Sequence, residues 1–418
     1  MRASVPRMPT LDLDFVRAQF PSFSHPETGE WAHLENAGGS YCPRQVVDLL
    51  TDLFAHGKCQ PEWDFGPSVM ASQAMARSRT VMAELFNAAE DEIHFGPSTS
   101  QNTYVLAKAM RPMWEDGDEI IVTNQDHEAN SGAWRRLADT GIVVKEWRVD
   151  PETGLLDPAA LDALITDRTR LLAVTHASNI AATINPGRDL ADRIHAVGGH
   201  IVIDGVSYAP HALPDVAALD CDVYLYSTYK TYGPHLGLMY TRQSLLEQLD
   251  NQSHYFKEGH PAAYLTPAGP DHAAIGAVAG VVDYYDTLAD HHGIAGADRR
   301  QRTAALFDVF GAHEQSIGEP LLELLLAKDT VRLVGAPTAD HAVRAPTFSF
   351  HVPGRTSASI YDALIAAKVS CGHGNFYAHR LMEGLGLDVD DGVVRLSAVH
   401  YNTPDEIARA CEVLDREL

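Results

Sequence analysis

From about residue 90 the chain alternates two textures. Short β-branched runs (EIHF, EIIVT, IVVKEW, LLAVTH, HIVID, DVYLYS and GLMYTR) are separated by stretches with helical spacing such as QNTYVLAKAM, DPAALDALI and GRDLADRIHAV. That alternation predicts a mainly parallel sheet with helices on both faces, an α/β core. LLAVT and HIVID show no alternation of apolar and polar positions, as strands covered on both faces should not.

After about residue 290 the pattern changes. Two helical stretches, ADRRQRTAALFDVFGAHEQ and PLLELLLAK, precede shorter strand-like runs, RLVG, TFSFHV and VVRLSAV. The last stretch, PDEIARACEVLDREL, predicts a helix with Thr403 as cap, Pro404 at the first helical position and Glu406 closing a capping box. We therefore expect two domains, a large one over 31–290 and a smaller α+β one from 1–30 and 291–418. The helix expected around DLDFVRAQF would pack on the second. His291 and His292 are expected in a surface turn.

Composition narrows the function classes. The 418 residues are 45% hydrophobic and 21% charged, which suits a large folded core. Acidic residues outnumber Lys and Arg by 56 to 32, a formal net charge of -24, and the longest basic run is DRRQR, so no nucleic-acid partner is expected. No apolar run approaches the roughly 20 residues of a membrane span. The opening MRASVPRMPT has no apolar segment after its arginines, so the expected location is cytoplasmic. Cys42, Cys59, Cys221, Cys371 and Cys411 form no CxxC pair and are read as reduced thiols. No HExxH occurs and no GxGxxG follows a strand, which speaks against metal and nicotinamide chemistry.

In a parallel sheet, ligands gather beyond the carboxyl ends of the strands. GPSTSQNT follows EIHF and opens a helix, so Ser98, Thr99 and Ser100 offer hydroxyls and free N–H groups. Such a stretch fits an ordinary N-cap or a phosphate cradle. His127 and Asn179 stand just past two further strands. Asp204 ends HIVID, where a carboxylate needs a cation or donors, or serves a turn into Gly205. Lys230 follows DVYLYS, in YSTYKTYGPHLG. A lysine there either reaches solvent or, held in an apolar pocket, loses its proton and becomes a nucleophile.

Taken in order, HLENAGG, FGPSTSQNT, DHEAN before Trp134, VTHASNIAATINP, VIDGVSYAPH, YSTYKTYGPHLG, APTFSF and VRLSAVHYNT resemble class V aminotransferases, in particular the cysteine desulfurase and selenocysteine lyase group. Nearly the whole chain is covered. The resemblance implies the pyridoxal phosphate-dependent fold type I, with a mainly parallel seven-stranded sheet and a smaller α+β domain. By resemblance, Lys230 is the Schiff-base lysine and proton shuttle, Asp204 pairs with the pyridinium nitrogen, His127 stacks on the ring and Asn179 sits near its phenolic oxygen. Thr99, Ser100 and Ser227, with Ser98, hold the phosphate, and Ser207 and Tyr229 flank the cofactor. Thr266 completes the cup of a neighbouring subunit, which implies a homodimer with shared sites. Arg395 grips the α-carboxylate of an amino-acid substrate, with Asn36 and Tyr377 on the substrate side.

The match has gaps. Desulfurases carry their nucleophilic cysteine in a loop read as GHHCAQPLM; here the text is GHGNFYAHRLM, with Tyr377 at the cysteine position. Ser207 replaces a glutamine, Tyr229 a histidine and Ser370 an arginine. The reading is therefore a carbon–sulfur β-elimination lyase that uses no persulfide cysteine. An aminotransferase or epimerase on the same carbanion is the alternative, and a non-catalytic binding protein a third.

Overall fold

The computed structural model describes residues 9–269 and 271–418; residues 1–8 of the opening stretch and Pro270 lie outside the described residues. Each of the seven β-branched runs forms a strand: Ile93–Gly96 (β1), Glu119–Thr123 (β2), Val143–Trp147 (β3), Thr169–Thr175 (β4), His200–Asp204 (β5), Val223–Ser227 (β6) and Gly237–Thr241 (β7). They build one seven-stranded sheet in the order β1-β7-β6-β5-β4-β2-β3. Only β7 runs against its neighbours; the other pairings are parallel.

The lack of alternation in the central strands has a direct cause. Ile121, Leu172, Val174, Ile201 and Ile203 feed the core on one face, while Ile120, Val122, Leu171, Ala173 and Val202 feed a separate core on the other. Successive side chains of a strand point to opposite faces, so a doubly covered strand must be apolar at both. Polar residues are left to the strand ends, where the loops meet.

A second, antiparallel sheet contains Arg332–Val334 (β8), Thr347–His351 (β9), Gly372–Gly374 (β10) and Val393–Ser397 (β11), in the order β10-β11-β9-β8. It shares a core with the last helix, Pro404–Glu417, whose capping box between Thr403 and Glu406 is formed as the sequence predicts. The early helix Leu13–Arg17 reaches that last helix through Arg17, 2.9 Å from Glu406, while its buried Val16 joins a core of the large sheet. Residues 32–37 run along the same lobe: Ala32 and His33 pair with Val369 and Ser370, and Glu35 bridges to Ser397.

Two expectations are corrected. The two helical stretches after residue 298 form one helix, Arg299–Ala327, which runs through Pro320. Proline removes one backbone bond, but both halves bury apolar residues, Phe310 before it and Leu321 and Leu325 after it, so packing carries the helix across. His291 is the last residue of a helix rather than part of a turn; it stacks on Phe15 at 3.6 Å and bonds Asp12 at 2.9 Å, while His292 accepts from the Asp12 amide. Among the described residues no helix is long and apolar enough to cross a membrane.

Candidate active site

At the end of β1, Ser98 caps the helix Thr99–Met110 and accepts from the Gln101 N–H. The Thr99 hydroxyl lies 2.7 Å from that of Ser227 at the end of β6. Gly96, Gly237 and Ser227 are in register across β1, β7 and β6. A Cβ at Gly237 would sit 2.6 Å from the Thr99 amide nitrogen, so only glycine lets β7 approach the helix start. The result is a set of hydroxyls and N–H groups lining one cavity at the positive end of a helix.

Past β2, a tight loop fixes His127. The Asp126 carboxyl is buried, bonded by the Thr123 hydroxyl and by the Asn130 side-chain amide at 2.8 Å, and burial pushes its pKa up to about 8. His127 Nδ1 accepts from the Ala129 N–H at 3.0 Å. Burial, with the charges of Lys230 and Arg395, pulls its pKa down to about 3. The imidazole is thus neutral, with its proton on Nε2.

Asp204 ends β5 in a buried position and accepts from the Val206 N–H at 2.9 Å. Burial raises its pKa; the Val206 N–H and the charge of Lys230 oppose the rise. Lys230 is also buried, in the hairpin that joins β6 to β7. Burial lowers its pKa to about 8, assisted by the charge of Arg395 and opposed by Asp204 and Glu35. Two residues on, Tyr232 has a left-handed backbone, φ 71°, and no exposure. It is held by its amide on the Ser40 hydroxyl and by its own hydroxyl on His400, both at 3.0 Å.

The loop after β10 arches over the site. Phe376 and Tyr377 are both left-handed, φ 49° and 59°. The Phe376 carbonyl accepts from the Asn179 side chain at 3.0 Å, and the Tyr377 carbonyl from the Glu128 N–H at 2.8 Å. The Tyr377 ring stands 5.4 Å from that of His127.

These elements enclose a cavity of about 340 Å³ lined by Ser98, Thr99, Ser100, His127, Asn179, Asp204, Ser207, Ser227, Tyr229, Lys230 and Tyr377. Three expected residues stand apart. Arg395 lies behind it, bonded to Glu35 and covered by the Phe376 ring. Asn36 is buried, its amide spent on the carbonyls of His33 and Ser397, on Asn402 and on the Tyr401 hydroxyl. Thr266 lines grooves outside the cavity. None of the cavity-lining residues is a cysteine; Cys371 is buried, its thiol pushed up to about 12. His235 also lines the cavity, and sequence reasoning passed over it although it sits in the quoted YSTYKTYGPHLG. Its position opposite Tyr229 follows only from the hairpin register.

A model of the aminotransferase class-V family matches residues 32–259. The chain belongs to that family. This class-V chain is 34% identical over 421 residues to an aminotransferase-like protein of Gibberella zeae, covering 98% of this chain and 99% of that protein. It is 30% identical over 436 residues to a cysteine desulfurase-like protein of Aspergillus flavus, covering 99% and 92% respectively. The solved cysteine desulfurase of Thermococcus onnurineus superposes with a TM-score of 0.83 at 22% identity, covering 99% of both chains. Class-V proteins of this group are pyridoxal phosphate-dependent, so the chain is an enzyme of that kind, with the fold type I architecture.

Proposed function

We propose that this class-V enzyme cleaves a carbon–sulfur bond of an amino acid by β-elimination, without an enzyme persulfide. The observation that carries this reading is the company kept by Lys230: a buried amine shares one cavity with a buried carboxylate, Asp204, and a neutral imidazole, His127, while no cysteine lines that cavity and Cys371 is a buried thiol.

The donor set fits pyridoxal phosphate. When bound, that group supplies an aldehyde for an amine and a ring that withdraws electrons from the substrate Cα. Thr99, Ser100 and Ser227, with Ser98 and the free N–H groups at the helix start, hold the phosphate. Asp204 keeps a proton on the ring nitrogen. His127 covers the ring face without adding charge, and Asn179 has one amide hydrogen left for the phenolic oxygen after serving Phe376. Ser207 and Tyr229 line the remaining wall. Lys230, with a pKa near 8, is partly neutral at physiological pH; it takes the Cα proton as the Cβ–S bond breaks, and gives a proton to the departing thiolate. Arg395 binds the α-carboxylate, Asn36 holds the 33–37 turn behind it, and Tyr377 shields the leaving group from water.

The exposed rings of Tyr255 and Phe256 and the neighbouring Thr266 suit a second copy of the chain, whose cavity Thr266 completes. We divide the chain into a cofactor lobe, 31–290, and a second lobe, 1–30 with 291–418; residues 32–37, counted with the first, pair with strands of the second.

The test is product analysis with cysteine and S-substituted cysteines. Thiol or sulfide, pyruvate and ammonia released in equal amounts are expected. Amino transfer to an added keto acid, or loss of optical activity without thiol release, would replace this reading with the transaminase or epimerase alternative.

A further inference from the structure

We propose that Glu35 is an internal carboxylate that competes with the substrate for Arg395, and that with the Phe376 ring it selects which carboxylates gain that arginine. The inference rests on the assignment of Arg395 to the substrate α-carboxylate.

The Arg395 side chain is 2% exposed. Its Nη2 donates to Glu35 Oε1 at 2.5 Å and its Nη1 to the Asn179 carbonyl at 3.2 Å. The Phe376 ring covers the guanidinium at 3.8 Å. A carboxylate that binds in the two-pronged manner favoured by arginine needs two adjacent N–H groups, and here none reaches solvent. Something must therefore move aside, and the three contacts differ in how readily they do. The Asn179 carbonyl is main chain in a buried segment. Glu35 is a side chain, 26% exposed, at the end of flexible methylenes.

Two unpartnered atoms mark the exchange. Arg395 Nε and Glu35 Oε2 are both buried without a hydrogen-bond partner. An ion pair selected for stability alone would close both, since an unsatisfied buried charge is expensive. A pair with one bond made and one withheld is easier to open. The chain also makes room for this carboxylate on two sides: a Cβ at Gly38 would lie 2.5 Å from Glu35 Oε1, and one at Gly372 3.1 Å from Oε2 and 2.5 Å from the Phe376 ring. Glycines at these two places let Glu35 and Phe376 occupy the arginine together. The left-handed backbone at Phe376 and Tyr377 places the ring there, so releasing it also relieves a strained conformation.

Competition of this kind lowers apparent affinity by the fraction of protein in which the arginine is free. It favours substrates whose remaining groups bind well enough to displace Glu35, and it rejects simple carboxylates. The test uses the purified holoenzyme and propionate, a carboxylate without an amino group, titrated calorimetrically. Glu35→Gln should bind propionate about tenfold more tightly than the natural chain and lower KM for the amino acid by more than it changes kcat. Equal or weaker binding, or a raised KM, would overturn the proposal by making Glu35 a support for Arg395. Should Glu35→Gln fold poorly, Glu35→Asp, whose shorter chain withdraws the oxygen, is expected to move both quantities in the same direction. Arg395→Ala separates the two readings: propionate binding and KM unchanged in that variant would remove Arg395 from the substrate site, whereas weakened binding there with no gain in Glu35→Gln would remove Glu35 alone.

Discussion

The imidazole of His235 lies 4.6 Å from the ring of Tyr229 and nearly parallel to it, at 9°. The two face each other across the hairpin that carries Lys230, two places inside the Ser227–Gly237 pair. Stacked rings contribute about 0.5–1.5 kcal/mol, so His235→Ala should weaken cofactor retention by about fivefold while His235→Phe restores most of it. Titrating apoprotein with pyridoxal phosphate against visible absorbance measures this. Identical affinities in all three proteins would make the stack incidental.

Lys230→Ala should keep the fold and reduce turnover by about a thousandfold or more. Borohydride reduction followed by peptide mass should find no cofactor fixed in the 226–237 hairpin of the variant and one fixed there in the natural chain. Normal turnover by Lys230→Ala would end the assignment.

On the role proposed for Lys230 its working form is the neutral amine, so kcat should rise with pH through a midpoint near 8. Arg395 depresses that pKa and Glu35 raises it, so Glu35→Gln should move the midpoint to lower pH. A midpoint that stays fixed, or moves upward, would mean that a different group limits the profile.

Asp126 is buried beside Thr123 and Asn130 with its pKa raised to about 8. The folded chain therefore holds a proton that the unfolded chain has released above about pH 4. This group favours folding at low pH, and its contribution is lost as pH rises from about 4 to about 8, by about 1.4 kcal/mol per pH unit at most. Asp126→Asn, which needs no proton, should gain stability relative to the natural chain over that window. Urea midpoints at pH 5 and pH 8 check it; a gap that does not widen with pH would mean the carboxyl is ionised in the fold.

Gly237→Ala would press a methyl group against the Thr99 amide. The expected effect is selective: affinity for pyridoxal phosphate falls by about tenfold or more, while affinity for pyridoxal, which lacks the anion, changes little. Equal losses for both would place the damage elsewhere in the hairpin.

All seven sheet strands were legible because their residues answer to a local rule: β-branched runs between turn signals. Lys230, Asp204 and His127 were legible for a related reason, since each stands where a strand ends. Glu35 was not. Its proposed role depends on Arg395, which meets Glu35 only because residues 32–37 cross to the second sheet, and no spacing along the chain encodes that meeting. Asn36, in the same stretch, read as a substrate residue, yet its four partners make it a structural tie. The helix through Pro320 was misread because proline is a strong local stop signal, and only burial on both sides overrides it.

In the large sheet, β1 pairs with β7 alone, and β7 is the last of the seven strands in the chain. Residues 93–96 must therefore wait for residues 237–241 before they have a partner, and contacts between such distant segments form slowly. During synthesis the parallel strands β2 to β6 can associate first. The hydroxyls of Thr99 and Ser227 and the hairpin of Lys230 come together only when β7 threads between β6 and β1. The helix start proposed to hold the phosphate thus depends on a long-range pairing, and a chain cut short before residue 241 is expected to keep most of the sheet and lose affinity for the anion.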